Sequence, residues 1–198
     1  MKIRNLVLML AMAFSVALLT GCNFDGGVEQ GRCVAFDATA KTLTIVVDVT
    51  HDQFNPHYSG GTHTFKLPAE SKDMGPNPSV GGRLMIDLVK NTVLIYDQKT
   101  NSVRELAVQF TDVEKNVNSD HPKVKGKTFP VIDKEQQTVT VYSGRQKSLI
   151  TFKIPAEAQD YPAYVWTAGD EMRIAYRNAD KGQAIRIMNV SKTNIFKK

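Results

Sequence analysis

The chain repeats part of its own sequence, and this repeat limits the folds that it can adopt. Residues 64–70 read TFKLPAE, and 87 residues later 151–157 read TFKIPAE. The match continues without a gap to Asn91 over Asn178, with ten identical positions among 28. A repeat of this length exceeds the roughly 20–50 residues of solenoid units. The sequence therefore predicts two homologous small domains in tandem, arising from duplication.

The repeat also extends upstream, where the two copies differ in length. Residues 37–45 read DATAKTLTI and match 133–141, which read DKEQQTVTV. The spacing between the matched segments is nine residues longer in the first copy, between Val46 and Thr64. This insertion is the main difference between the copies and is therefore a candidate location for functional residues.

Each copy is predicted to be all-β. Its apolar segments are rich in β-branched residues and alternate roughly with polar ones, which is typical of half-buried strands. No segment shows a helical period longer than two turns. About five short strands in a copy of this length predict a small barrel or sandwich, similar in architecture to OB-like or SH3-like folds. The predicted strands are 42–48, 84–89, 92–97, 103–110, 138–142, 171–177 and 184–190.

The N-terminus carries an export signal. Lys2 and Arg4 precede an uncharged run over 6–19, which is shorter than the roughly 20 apolar residues of a membrane span. The run ends in LTGC at 19–22, which resembles the lipobox of bacterial lipoproteins. This resemblance implies cleavage before Cys22 and acylation of that cysteine, which would anchor the mature chain to a membrane.

The lipobox resemblance implies an address in the cell envelope. An Asp directly after the lipobox cysteine resembles an inner-membrane retention signal. The residue at that position is Asn23, so the expected location in a Gram-negative source is the outer membrane, facing the periplasm. The whole chain is similar to lipoproteins of uncharacterised function with tandem β-domains. The predicted organisation is a signal peptide (1–21), an acylated tether (22–31), a first β-domain (32–115), a linker (116–126) and a second β-domain (127–198).

The composition and the motifs of the chain limit the classes of function that we expect. The net charge of +5 over 198 residues is too small and dispersed for a nucleic-acid binder. With Cys22 acylated, Cys33 has no disulfide partner in the chain and is expected to be a small buried apolar residue. The sequence contains no nucleophile-elbow, P-loop, HExxH or dinucleotide motif. We therefore expect no enzyme and no cofactor, but a binding or scaffolding module for an envelope protein or polysaccharide; a polysaccharide hydrolase with a cleft between the copies is the lesser alternative.

The insertion of the first copy contains three of the four histidines. If residues 48–66 form a hairpin centred near His57, then His51 and His63 face each other with Cβ atoms ~5 Å apart. Together with Asp52 they would provide ligands for Zn²⁺ or Cu²⁺. The same histidines would otherwise form a pH-sensitive surface or a merely solvated hairpin. A metal-binding or pH-sensing lipoprotein is thus the alternative function.

The second copy carries three aromatic residues in a loop where the first copy has none. Tyr161, Tyr164 and Trp166 align with the segment 74–79. Exposed rings there would stack on a sugar or anchor a protein partner. Alternatively, the loop folds its rings over the end of the barrel, because small cores need large apolar side chains.

Overall fold

The computed structural model describes residues 25–52 and 55–193, and the predicted lipobox at Cys22 lies outside these residues. The described part is mostly β-structure, which confirms the predicted class. It contains no helix of the length and apolarity needed to cross a membrane. The first strand begins at Gly26, inside the segment 22–31 that was predicted as a tether. At Gly31 a Cβ would lie 2.1 Å from the Val46 carbonyl oxygen, so this glycine permits close strand contact.

The described residues form twelve strands, two 3₁₀ turns and one short helix. In chain order the strands are β1 (Gly26–Asp37), β2 (Thr42–Asp48), β3 (Tyr58–Lys66), β4 (Arg83–Asp87), β5 (Thr92–Asp97), β6 (Ser102–Ala107), β7 (Gln109–Lys115), β8 (Val131–Asp133), β9 (Thr138–Ser143), β10 (Ser148–Lys153), β11 (Glu171–Arg177) and β12 (Asp180–Asn189). The 3₁₀ turns are Ser71–Asp73 and Ala156–Ala158, and the helix α1 is Ala163–Trp166.

The strands build three sheets. A closed five-stranded barrel has the order β1-β11-β12-β3-β2, a four-stranded sheet has the order β7-β10-β9-β8, and β4-β5-β6 form a three-stranded sheet. The pairs are antiparallel except for β12 and β3, which meet at a single parallel pair, Gln183 with Lys66. The barrel thus closes through one narrow seam.

The sheets do not follow the predicted division of the chain. The barrel takes β1, β2 and β3 from the predicted first domain but β11 and β12 from the second. Conversely, β7 pairs with β10, so the segment 116–126 connects strands of one sheet and not two domains. Alternating hydrophobicity identifies strands but not their partners. These two sheets therefore each combine strands from both predicted domains.

Corresponding segments of the repeat nevertheless adopt the same local structure. Asp37 and Asp133 each accept two backbone N–H bonds in the turn that follows, at 2.8–3.0 Å. A cross-strand pair of threonine hydroxyls, 2.9 Å apart, joins β2 to β3 and another joins β9 to β10 (Thr44 with Thr64, and Thr140 with Thr151). The hairpins β2–β3 and β9–β10 thus correspond to each other but lie in different sheets.

The three-stranded sheet is the middle layer of the molecule. Along β5, Val93 and Ile95 pack in the cluster that includes Trp166 and the four-stranded sheet. Leu94 and Tyr96, which alternate with them, pack against the outer face of the barrel. A separate cluster fills the barrel interior. The layers meet at the beginning of β4, where the candidate site lies.

Candidate functional site

Two segments that match each other in the repeat run side by side at the junction of the layers. The Arg83 amide donates to the Thr167 carbonyl oxygen at 2.9 Å, and the Asp170 amide donates to the Ser79 carbonyl oxygen at 2.9 Å. Strand β1 joins them, because the Cys33 amide donates to the Asp170 carbonyl oxygen at 2.9 Å. Three chain segments therefore meet at one point.

Two glycines allow this meeting. A Cβ on Gly81 would lie 2.2 Å from the carbonyl oxygen of Thr167, and a Cβ on Gly169 would lie 2.1 Å from that of Cys33. Both obstacles are backbone atoms, so no side-chain rearrangement could relieve the overlap. Glycine is therefore required at both positions for the segments to approach this closely.

A cavity of about 390 Å³ lies beside the crossing. Three arginines from different elements line it: Arg32 on β1, Arg83 at the start of β4, and Arg145 in the turn between β9 and β10. The lining also includes acidic, hydroxyl-bearing and apolar residues, namely Asp170, Glu171, Ser143, Ser191, Leu84, Met85, Ile86 and Val190. The cavity is thus lined by three arginines together with polar and apolar side chains.

Arg32 is neutralised by a buried carboxylate. Its Nε lies 3.2 Å from Oε2 of Glu171, which is 5% exposed, and its Nη1 donates to the Gly169 carbonyl oxygen at 2.7 Å. The Tyr58 hydroxyl donates to the same Oε2 at 3.0 Å. Burial raises the pKa of Glu171, while Arg32 and the Tyr58 hydroxyl oppose that rise. Arg32 and Glu171 therefore balance each other in charge.

Arg83 is buried without a carboxylate partner. It is 7% exposed, and within the described residues no carboxylate oxygen lies within 4.0 Å of its guanidinium. Instead, Nε donates to the Trp166 carbonyl oxygen at 2.9 Å and Nη2 to that of Tyr142 at 3.3 Å. Burial, followed by repulsion from Arg32 and Arg145, lowers the pKa of Arg83 to about 9. The group is still protonated at neutral pH.

Arg145 also lacks a carboxylate within that distance in the described part of the chain. Its Nη1 is buried, and no hydrogen-bond partner for it exists among the described residues. Burial and the charge of Arg32 lower its pKa, whereas Glu171 and Asp48 oppose the change. Two protonated guanidinium groups therefore border one cavity without a direct counter-charge, which is the composition of an anion site.

The other carboxylates near the cavity are held by their own partners. Asp170 Oδ2 lies 3.0 Å from Lys192 Nζ and accepts the Ser79 amide at 2.7 Å and the Asn189 side-chain amide at 2.9 Å. Asp48 is buried; its Oδ1 accepts the His57 amide at 2.7 Å, and its Oδ2 has no hydrogen-bond partner among the described residues. Neither carboxylate forms an ion pair with Arg83 or Arg145 within 4.0 Å.

The comparison with protein families assigns the chain to one of them. A family model described as a domain of unknown function, DUF4881, matches residues 25–198. The chain belongs to the DUF4881 family. Neither a curated protein nor a solved structure matches it significantly. All three cavity arginines lie inside the matched range, so the cavity belongs to the DUF4881 domain itself.

The histidines of the insertion do not take the predicted arrangement. In the register of β2 and β3, His63 lies opposite Ile45 and not opposite His51, so the predicted facing is wrong. The reason is that the hairpin is centred about four residues before His57, since Asp48 pairs with Tyr58. Asp52 accepts the Asn55 side-chain amide at 3.1 Å. Within the described residues no group of three His, Cys, Asp or Glu residues is arranged to hold a metal ion, and a Zn²⁺ or Cu²⁺ site stays a prediction.

In this DUF4881 member, His63 contacts two neighbouring side chains of the barrel. Its Nδ1 lies 2.9 Å from Oε2 of Glu29 on β1. Its ring stacks on Phe65 with centroids 3.9 Å apart. The contact with Glu29 and the stacking on Phe65 hold the side chain against the barrel.

The aromatic loop follows the second of the two predicted arrangements. Trp166 is 1% exposed and packs edge-on against Phe152, with centroids 5.7 Å apart. The Tyr161 hydroxyl donates to Asp97 Oδ2 at 3.1 Å, and that of Tyr164 donates to the Tyr96 carbonyl oxygen at 3.4 Å. The rings cover the core between the sheets, so an exposed stacking platform that includes Trp166 is wrong.

Sequence reasoning missed the arginine cavity, although one signal for it was present. In the repeat, Gly82-Arg83 aligns with Gly169-Asp170, so opposite charges occupy equivalent positions beside identical glycines. Arg32 and Arg145 carried no such signal, because they meet at the cavity from distant parts of the chain. Cys33, in contrast, is buried in the barrel as expected, and burial raises its pKa to about 12.

Proposed function

We propose that this chain is a lipid-anchored cell-envelope protein that binds a small anionic ligand in its arginine cavity, without catalysing a reaction. The observation that carries the proposal is that Arg83 and Arg145 border the same cavity and have no carboxylate partner among the described residues. Charged groups are costly to bury without compensation. A bound anion would supply it.

The walls of the cavity favour such binding. Leu84, Met85, Ile86 and Val190 form part of the lining and reduce the access of water. An ionic hydrogen bond is stronger in such surroundings than in bulk water. The volume is in the range of about 300–1,000 Å³ that is usual for small-molecule sites. A small organic anion would therefore fit the cavity in both size and charge.

The envelope location rests on the sequence. The LTGC motif at 19–22 resembles a lipobox, and β1 begins at Gly26, four residues after Cys22. A chain acylated at Cys22 would hold the barrel close to the lipid surface. The cavity would then face the space next to the membrane, where the protein would capture its ligand or pass it to an envelope partner.

We infer in addition that the molecule consists of two copies of one unit that have exchanged strands. Equivalent turns and equivalent threonine pairs in the two copies support this origin. So does the side-by-side course of the matched segments near Arg83 and Asp170. In that arrangement the cavity lies where the two copies cross. At equivalent positions of the repeat, one copy contributes Arg83 to the cavity and the other contributes the paired Asp170.

The anchor is tested by replacing the cysteine of the lipobox. Cells expressing the native chain or Cys22→Ala are fed radiolabelled palmitate and then fractionated. We expect label and membrane association for the native chain and loss of both for the variant. Equal fractionation of the two proteins, with no label in either, would refute the anchor.

Anion binding is tested by thermal unfolding of the full-length acylated protein in a non-ionic detergent. Phosphate, sulfate, acetate and succinate are each titrated against chloride at constant ionic strength. A ligand at 100 times its Kd stabilises a protein by about 2.7 kcal/mol, so at least one anion should raise the Tm in a saturable way. Arg186→Gln, an exposed position on β12, removes the same charge outside the cavity and should respond like the native protein. If none of the anions changes the Tm, the proposal fails.

A further inference from the structure

Two of the three cavity arginines, Arg83 and Arg32, do not present the donor pair that matches a planar carboxylate. Such recognition uses two parallel N–H groups of one guanidinium, commonly those of Nε and Nη2. In Arg83 the Nε and Nη2 atoms already donate to backbone carbonyl oxygens. In Arg32 the Nε is taken by Tyr58 and Glu171. These two side chains can offer separate N–H groups but not that side-on pair.

The remaining donors reach the cavity from different elements. Arg83 comes from β4, Arg145 from the turn after β9, and Ser191 from the segment after β12. The Ser191 hydroxyl oxygen accepts the Glu171 amide at 2.8 Å, and that of Ser143 accepts the Gln146 amide at 3.4 Å. A hydroxyl that accepts in this way still carries a proton to donate. A suitable ligand needs several acceptor oxygens that point in different directions.

We propose, building on the anion-binding function above, that the cavity binds a phosphoryl group. The tetrahedral oxyanion would accept from Arg83 and Arg145 through different oxygens, with a serine hydroxyl as a further donor. The cavity volume of about 390 Å³ leaves room beyond the phosphoryl group itself. The apolar wall at 84–86 would contact the organic part of a phosphate monoester.

The test is calorimetric titration of the full-length acylated protein in non-ionic detergent at constant ionic strength. Inorganic phosphate, glycerol phosphate and sulfate represent tetrahedral oxyanions, and acetate and succinate represent carboxylates. We expect the tetrahedral ions to bind at least about tenfold more tightly, because the loss of one charged hydrogen bond changes a Kd on the order of tenfold. Tighter binding of glycerol phosphate than of phosphate would identify an ester as the ligand, and the reverse would identify the free ion; both support a phosphoryl site.

Matched variants tie the binding to the cavity. Arg145→Gln should weaken phosphate binding about tenfold to a hundredfold, and Arg186→Gln should leave it unchanged. Arg145 is partly exposed, so this variant is better suited to the test than one of the buried Arg83. Carboxylates that bind as tightly as phosphate, through Arg145, would overturn the phosphoryl assignment and leave the anion-binding proposal standing. Phosphate binding that Arg145→Gln does not weaken would overturn the assignment to this cavity, and the absence of binding by every anion would overturn both proposals.

Discussion

Arg83 illustrates how single residues are fixed at the junction of the layers. A buried guanidinium loses its hydration, and the carbonyl oxygens of Trp166 and Tyr142 replace only part of it. Asp170, its counterpart in the repeat, has the opposite situation. It accepts from Ser79 and Asn189 and pairs with Lys192. Asp170 thus forms a structural ion pair, while Arg83 at the equivalent position retains an uncompensated charge.

We predict that Asp170 stabilises the fold above the acidic range. Burial alone would raise its pKa, but the Ser79 amide, the Asn189 amide and Lys192 together hold it below the ordinary value of 3.8. A lowered pKa means that the contribution is complete above the ordinary value and is lost as the pH falls from that value through the lowered pKa. Asp170→Asn should lower the free energy of unfolding by about 1–3 kcal/mol at pH 7 and by progressively less toward pH 2. Urea denaturation at several pH values measures this, with the exposed Asp160→Asn as control; equal losses for Asp170→Asn at pH 7 and pH 2 would contradict it.

For single residues, the sequence predicted burial better than it predicted which residues contact each other. Cys33 was identified as a buried thiol because the chain offered it no partner, and composition alone was sufficient for that inference. The facing of His51 and His63 required the turn to be centred on His57, and a shift of the turn by a few residues removed it. The arginine cavity depends on contacts between residues more than 50 positions apart, which local patterns do not encode.

The elements of the barrel are held unequally. Most neighbouring strands share long antiparallel ladders, but β12 and β3 share the one pair of Gln183 with Lys66. The Gln183 side chain strengthens this seam, since its Nε2 donates to the Leu67 carbonyl oxygen at 2.9 Å. The seam is therefore the place where the barrel opens most easily.

Removal of that side chain should loosen the seam. In Gln183→Ala the lost hydrogen bond is worth about 1 kcal/mol, so amide hydrogen exchange in β3 and β12 should become about fivefold faster. Exchange in β9 and β10 should not change. The control is Gln109→Ala, which removes an exposed glutamine from β7. Uniformly faster exchange across all sheets would show that the effect is global and would contradict a local seam.

Most strands were predictable as elements. The segments 42–48, 92–97 and 171–177 were predicted from alternation, and the strands have those bounds. The stretch 103–110 was predicted as one strand but is divided between β6 and β7, which lie in different sheets. Periodicity does not show where a chain leaves one sheet for another, because both strands keep the same alternation.

At the scale of the whole molecule, the sheets combine strands from both halves of the chain and make those halves interdependent. The barrel cannot close without β11 and β12, and the four-stranded sheet includes β7 from the first half. The sequence repeat predicts which segments correspond, but it could not show whether each copy folds by itself. Pairing within a copy and pairing between copies satisfy the same hydrophobic pattern.

This interdependence predicts a single unfolding transition. The lone tryptophan, Trp166, lies between the sheets, and Cys33 lies in the barrel interior, where burial raises its pKa to about 12 and suppresses its reactivity. In a Cys22→Ala chain, urea should expose both at the same midpoint, measured by fluorescence and by thiol labelling. Leu43→Ala, a cavity mutation inside the barrel, should lower both midpoints equally. Labelling of Cys33 at urea concentrations where Trp166 remains native would indicate independent halves.

The shared barrel also sets a condition on how the protein is made. When β1, β2 and β3 emerge first from the synthesis machinery, the open edges of β1 and β3 have no neighbours until β11 and β12 follow, more than a hundred residues later. Bare strand edges readily pair with other chains. Export of an incomplete chain would therefore release an aggregation-prone fragment. A holding chaperone that shields the early strands until residue 189 has been synthesised would increase the yield of folded protein.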